Sequence, residues 1–209
     1  MSQYKLYRAC PVCSLLKANT MERFSFTLFD NHPMQEGYQV VQCTHCNFIY
    51  ADTKVTQDEL DGYYANLSKY EDKTVSTGGG YSAYDKDRLQ VTANYIHAQM
   101  PGKDIAILDL GCANGGLLRE LKNIGYTNIA GVDPSLACVE ITKNEVGCPC
   151  YHYSLFDIDE KIGKYDLIII SHVWEHILDI QGAMKKLEIL LNKNGTVYIE
   201  CPNAQHYKN

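Results

Sequence analysis

No run of apolar residues in this chain is long enough to span a membrane. The opening M-S-Q-Y-K-L-Y-R lacks the apolar core of a secretory signal. These absences predict a cytoplasmic protein with no membrane association. Cations are not in excess either: 19 Lys and Arg against 25 Asp and Glu give a net charge of −6, so counterion release offers no general reward for binding nucleic acid. A small-molecule partner is expected instead, and nucleic acid is disfavoured. What is present is globular in character, 45% apolar and 21% charged over 209 residues, enough for one good core and a small satellite module.

Nine cysteines stand out, and without a secretory context they are not expected to pair as disulfides. Four have metal-ligand spacing: Cys10-Pro-Val-Cys13 and Cys43-Thr-His-Cys46, two knuckles separated by 29 residues. Each presents two thiolates on a tight turn, and two together supply the tetrahedral sulfur shell that Zn2+ prefers. Four sulfurs leave no open coordination position, so a structural Zn2+ is predicted. His45 reads as a solvated turn residue. Between the knuckles, Phe24, Phe26 and Leu28 precede an N-H-P-M-Q-E-G turn and Tyr38, Val40 and Val41 follow it. That pattern suits short strands around a core too small to stand without metal. Cys112, Cys138, Cys148, Cys150 and Cys201 are expected to be small buried hydrophobes.

Residues 105–118, I-A-I-L-D-L-G-C-A-N-G-G-L-L, read as a strand, a glycine turn and a helix. Ile and Leu without alternation mark a strand covered on both faces. Gly111 ends it, and Gly115 and Gly116 open a helix carrying Leu117, Leu118 and Leu121. Such a turn aims backbone N–H groups at a ligand beyond the carboxyl edge of a sheet. A dinucleotide fingerprint requires a middle glycine for the pyrophosphate, but that position is Ala113. Twenty-two residues after Gly111, the strand N-I-A-G-V ends in Asp133, the spacing at which a carboxylate accepts both ribose hydroxyls of an adenosine. Pro134 follows and is expected to start the next helix. A Rossmann-type NAD site is the competing reading.

Upstream, Thr56-Gln-Asp-Glu59 forms a capping box that leads into Leu60, Tyr63, Tyr64 and Leu67. The polar stretch after it ends in Gly78, Gly79 and Gly80. It is either a solvated linker or a lid that brings Tyr70, Tyr81 and Tyr84 to the site. A helix over 84–100 stops at Pro101-Gly102. Downstream, strands at 105–110, 128–133, 150–154, 165–170 and 196–200 alternate with helices at 115–124, 135–146 and 179–191, with a turn at Asn194-Gly195. The expected fold is α/β: a Rossmann-like, mostly parallel sheet with helices on both faces, preceded by a small zinc-binding module. Ligands of such sheets sit beyond the carboxyl strand ends, where Gly111, Asp133, Ser154-Leu155-Phe156 and Ser171-His172 fall.

After the fourth strand comes H-V-W-E-H, in which His172, Glu175 and His176 share one face if the segment is helical. Three readings stand. His172 acts as a general base; or the three bind a divalent ion; or Glu175 and His176 only orient the turn, with Trp174 packed beneath.

The run Asp109-x-Gly111-x-x-x-Gly115, with Cys112 and Ala113 inside it, resembles motif I of the class I S-adenosylmethionine (SAM) methyltransferases. So do G-V-D-P-S, Y-D-L-I-I-I-S-H-V-W-E-H-I and L-L-N-K-N-G-T-V-Y-I-E-C-P-N. The knuckles and the following N-F-I-Y are similar to the zinc module that precedes this domain in sugar C-methyltransferases and their capsule and natural-product relatives. The resemblance implies SAM as cofactor, held by the 109–115 turn and Asp133, with Leu155 and Phe156 against adenine. It implies methyl transfer to a small molecule such as a nucleotide-linked or capsular sugar. A zinc-ribbon ribosomal RNA methyltransferase and a non-catalytic SAM-binding scaffold are the alternatives. The implied organisation is a zinc module at 1–52, a helical linker or lid at 53–102, and a methyltransferase core at 103–209. Two further strands are expected after Glu200, so the core is expected to be incomplete.

Overall fold

A computed structural model describes residues 5–25, 32–34, 37–66 and 78–203. Phe26, Leu28, Leu67 and Tyr70, singled out above, lie outside the described residues. The chain divides into two compact units, one of Met1–Tyr63 with Ile177–Met184, the other of Tyr64–His176 with Lys185–Asn209.

In the first unit, β1 (Ala18–Phe24), β2 (Tyr38–Cys43) and β3 (Ile49–Asp52) form an antiparallel sheet in that order. The side chains of β2 alternate, which turns Gln39, Val41 and Cys43 inward. Against them β3 sets Tyr50 and Asp52. The Asp52 carboxylate is fully buried and accepts from the amides of Tyr7 and Arg8 and from Gln39 Nε2 at 2.6 Å. It thereby ties the N-terminal segment to the sheet. Helix α1 (Gln57–Asn66) begins at the predicted capping box, with Thr56 N donating to Glu59 Oε2 at 2.8 Å and Glu59 N donating to Thr56 Oγ1 at 3.3 Å. Segment 177–184 joins this unit through Arg8 Nη2 to Leu178 O at 2.7 Å and Leu178 N to Gln57 Oε1 at 2.8 Å.

In the second unit, α2 (Ala83–Gln99) precedes β4 (Ile107–Leu110), α3 (Gly116–Ile124), β5 (Ile129–Asp133), α4 (Leu136–Val146), β6 (Cys150–His152) and β7 (Tyr165–Ser171). Helix α5 (Ile180–Leu190) and β8 (Leu191–Glu200) complete the sequence of elements. The five strands are all parallel, in the order β6-β5-β4-β7-β8. Both faces of the sheet are buried, which explains its unalternating apolar strands. Ile107, Ile129, Leu167 and Ile169 pack with Leu89, Ala93 and Ile96 of α2, Leu118 and Leu121 of α3 and Val139 of α4. On the other face Leu108, Val132, Ile168 and Ile170 pack with Leu187 and Leu190 of α5. This is the Rossmann-like architecture expected.

Several details differ from the sequence reading. The cap of α4 is Ser135, whose hydroxyl accepts from Cys138 N, so Pro134 precedes the helix rather than starting it. Asn194-Gly195 is an irregularity inside β8, not a separate turn. Pairing jumps from Tyr165 opposite Leu191 to Leu167 opposite Thr196, and Asn194 takes φ +68° to absorb the extra residues. Cys201 is exposed and Cys148 half-buried, because both lie beyond strand ends. Among the described residues, no helix is long and apolar enough to cross a membrane.

Candidate functional site

The two cysteine knuckles have equivalent backbones. In the first, Cys10 N donates to Leu15 O, Ser14 N donates to Cys10 O, and Ser14 is left-handed at φ 61°. In the second, Cys43 N donates to Phe48 O, Asn47 N donates to Cys43 O, and Asn47 has φ 61°. Each left-handed residue turns the chain sharply enough to aim both thiols of its knuckle at one point. Sγ of Cys10 lies 3.5 Å from that of Cys46, and Sγ of Cys13 lies 3.5 Å from that of Cys43. All four fall within 4.8 Å of one another. A tetrahedral zinc with Zn–S bonds near 2.3 Å needs sulfurs about 3.8 Å apart, so the donors fit. Backbone amides of Cys46 and His45 lower the pKa of the Cys43 thiol, while burial and the neighbouring sulfurs raise those of Cys13 and Cys46. His45 is exposed, as expected of a turn residue.

In the second unit the glycine turn folds back onto the tip of β5. Gly111 (φ +74°) and Cys112 both donate their amides to Val132 O, at 2.8 and 3.0 Å. Ala113 N donates to Asp133 Oδ2 at 2.8 Å, and Ser135 N donates to the other carboxylate oxygen at 2.9 Å. Asp133 therefore clasps the glycine turn to the start of α4, and it stays 7% exposed. Gly115, at φ +72°, leaves no room for a side chain, since a Cβ there would sit 2.8 Å from Val146 Cγ2. The hydroxyl of Thr142 donates to Ala113 O at 2.9 Å. Beneath the turn, the Cys112 and Cys150 sulfurs lie 3.6 Å apart over Gly131.

Asp109, just before this turn, is fully buried, and burial together with the nearby charge of Asp133 pushes its carboxyl up to about 8. Arg88 partly offsets this. In the unfolded chain Asp109 ionises near the ordinary carboxylate value, while the folded protein keeps its proton. Stability is therefore lost as pH rises from about 4 to about 8. Asp109→Asn cannot titrate and is expected to flatten this slope, raising the melting temperature at pH 8 relative to wild type by on the order of 5 °C. Scanning calorimetry of both proteins from pH 5 to 8.5 checks this; parallel curves would exclude a neutral buried Asp109.

The remaining predicted residues fall at neighbouring strand tips. Ser154 donates to Asp157 Oδ2 at 2.8 Å in the turn after β6, with Leu155 and Phe156 half-buried beside it. At the β7 tip, Ser171 Oγ donates to Glu200 Oε2 at 2.9 Å. His172 does not share a helical face with Glu175 and His176. Its φ of +57° takes it out of the helix, and the short 3-10 turn comprises only Trp174–His176. Instead its two ring nitrogens face two carboxylates, Nδ1 at 3.7 Å from Glu175 and Nε2 at 3.6 Å from Glu200. His176 meets the Tyr64 hydroxyl at 3.0 Å, and burial pushes its pKa down. Among the described residues the four cysteines are the only group of metal-ligating side chains gathered within reach of one ion. Val173 lies directly against Gly111, so the β4 and β7 tips adjoin.

Glu200, Thr142 and the buried Asn114 were not singled out from sequence, and Tyr64 was read only as a residue of the helix after the capping box. Of the tyrosines proposed for a lid, Tyr81 donates to Glu145 and stacks near Arg119, while Tyr84 is 78% exposed. The glycines before them dock on α3: Gly116 N donates to Gly78 O at 2.9 Å, and Arg119 Nη2 donates to Gly79 O.

Against known proteins, the chain is 30% identical over 131 residues to a ubiquinone biosynthesis O-methyltransferase of Pelagibacter ubique (strain HTCC1062), covering 57% of this chain and 51% of that one. It is 31% identical over 106 residues to an EEF1A lysine methyltransferase 2 of Danio rerio, covering 50% and 44%. The chain thus spans about half the length of these curated relatives. Its fold is that of magnesium protoporphyrin IX methyltransferase from Synechocystis PCC 6803, with a TM-score of 0.51 at 16% identity over 65% of this chain and 68% of the other. A family model described as "Methyltransferase domain" matches residues 84–209, more than half of the chain, and the protein belongs to that methyltransferase family.

Proposed function

We propose that the protein is a SAM-dependent methyltransferase acting on a small molecule, with a nucleotide-linked or capsular sugar as the acceptor class and a structural Zn2+ on Cys10, Cys13, Cys43 and Cys46. The observation that carries the cofactor reading is the 2.8 Å bond from Ala113 N to Asp133 Oδ2. It brings a glycine turn and a strand-end carboxylate to the adjacent tips of β4 and β5, the arrangement that receives an adenosine. Gly111 and Gly115 keep the turn tight, with Val173 packed against the first and Val146 and Thr142 against the second. Magnesium protoporphyrin IX methyltransferase, which shares the fold, has been solved with SAH and with SAM bound.

When bound, SAM supplies a methyl group on a sulfonium for in-line transfer to an O, N or C nucleophile. The residues of this chain would align the reactants, which is where most of the rate arises. Asp133 would accept from the ribose hydroxyls, the 109–115 turn would hold the methionine portion, and Leu155 and Phe156 would flank adenine. One ring nitrogen of His172 would take the acceptor's proton while the other donates to the carboxylate it faces, Glu175 at Nδ1 or Glu200 at Nε2.

Calorimetric titration with SAH tests the reading. Binding with a dissociation constant on the order of 10 µM is expected. No heat at millimolar SAH would remove it.

A further inference from the structure

Gly78, Gly79 and Gly80 form a strap across the start of α3, fastened through both its amides and its carbonyls. We propose that this strap, clamped by the buried carboxylate of Asp85, makes the nucleoside site selective. It closes the N-terminus of α3 to phosphate, so that a phosphate-free adenosine such as that of SAM is taken in preference to a nucleotide. The proposal rests on the SAM reading above and names the groups that exclude the alternatives.

Helix α3 follows β4 and its glycine turn, the place where dinucleotide-binding sheets seat a pyrophosphate on unpaired backbone amides and the positive end of the helix dipole. Gly115, the residue capping α3, has no side chain to satisfy those amides. Gly78 O takes that part instead, accepting from Gly116 N at 2.9 Å. The carbonyl oxygen carries partial negative charge, so it both occupies the amide and repels a phosphate oxygen. The approach is as close as glycine allows. A Cβ on Gly116 would run into Gly78 O, and a Cβ on Gly78 would lie 3.2 Å from that of Ala113, so the strap also bears on the glycine turn.

Asp85 holds the strap from the first turn of α2. It is 1% exposed, and its Oδ2 accepts from Gly78 N at 2.8 Å and from Gly80 N at 2.7 Å, while Oδ1 accepts from Arg88 Nη2 at 3.0 Å. Bonds to a buried carboxylate are charge-assisted and strong. The amide of Asp85 donates in turn to Ser82 Oγ at 3.1 Å, which fixes its place at the helix start. From α3, Arg119 Nη2 donates to Gly79 O. Asp85 is therefore a positioning residue that acts on the site through the strap.

Calorimetric titration of the full zinc-loaded chain with SAH, adenosine and adenosine diphosphate tests this, together with hydrogen exchange of the Gly116 amide. The wild type is expected to bind adenosine at least about tenfold more tightly than the diphosphate. Asp85→Ala releases the strap, and Gly116→Ala wedges it away while leaving the clamp intact. Each is expected to narrow the preference for adenosine by at least about fivefold. In Asp85→Ala the Gly116 amide is expected to exchange at least about tenfold faster, with the α3 interior unchanged. General loosening would weaken both ligands together and leave their ratio alone. Should Asp85→Ala fail to fold, Gly116→Ala decides the matter. No binding of SAH by the wild type would remove the SAM reading and this inference with it. SAH binding with the diphosphate held as tightly as adenosine, a ratio unchanged in the folded variants, or wild-type exchange at Gly116 in Asp85→Ala would overturn this inference alone.

Discussion

Stripping zinc from the four-cysteine cluster is expected to unfold the β1–β3 sheet, with amide exchange in β2 accelerating by at least about a thousandfold. The reason is the size of what would remain. The core of this sheet is Cys10, Val41, Cys43 and Tyr50, with Leu6, Cys13, Ala18 and Cys46 packed around them. Burial of Val41 and Tyr50 contributes about 2–3 kcal/mol each, far below the entropy of ordering a three-stranded sheet. A structural zinc adds about 10–16 kcal/mol in comparable small modules. Half of that small core is itself ligand, so removing the ion also leaves four thiols crowded together. The measurement is hydrogen exchange of the 18–24, 38–43 and 49–52 segments before and after chelation, with metal content followed in parallel. Zn2+ should restore protection and Mg2+ should not. Cys43→Ser should reproduce the effect of the chelator. Protection in β2 that survives complete loss of metal would show that the cysteines do not depend on an ion.

Much of this architecture can be read along the chain because its signals are local. The β4 strand is four consecutive buried residues, and the glycine turn declares itself through φ values that other residues avoid. The place of Asp133 at the end of β5 is legible from spacing alone, since one βαβ unit has a narrow range of lengths. What escaped depends on pairing between distant segments. Glu200 reaches Ser171 and His172 only because parallel pairing sets Ser171 opposite Glu200, and nothing near either residue announces it. Asp52 acts on residues 44 and 45 positions away. The helical-face argument for His172, Glu175 and His176 failed for a related reason. Periodicity assumes one backbone conformation throughout, but His172 N donates to Glu200 O at 2.8 Å and is held left-handed where β7 ends. Local pattern gives the helix; the neighbouring strand overrides it.

Asp133→Ala is expected to weaken SAH binding by about 30- to 1,000-fold, a loss of roughly 2–4 kcal/mol. A carboxylate has room for about four hydrogen bonds. Here backbone amides at 2.8 and 2.9 Å bond one to each oxygen, and in the proposed role the same carboxylate also receives the ribose hydroxyls. Charge-assisted bonds of this kind are worth about 1.5–3 kcal/mol each, more than neutral ones. The same geometry raises a competing explanation, because truncation also frees Ala113 N and could loosen the turn without any contact to ribose. Two comparisons separate the causes. Asp133→Asn keeps one oxygen for Ala113 N but loses the charge and half the acceptors. If the ribose role is correct, it should bind SAH nearly as poorly as the alanine variant while keeping the Ala113 contact, although its NH2 then faces Ser135 N and lowers the melting temperature. The second comparison uses the 2′-deoxy analogue of SAH. Wild type should discriminate against it by about tenfold or more, and the Asp133→Ala protein should bind the two ligands alike. Should the alanine variant still prefer SAH by the wild-type margin, the carboxylate acts only as a clasp for the turn, and the ribose must be held by another group.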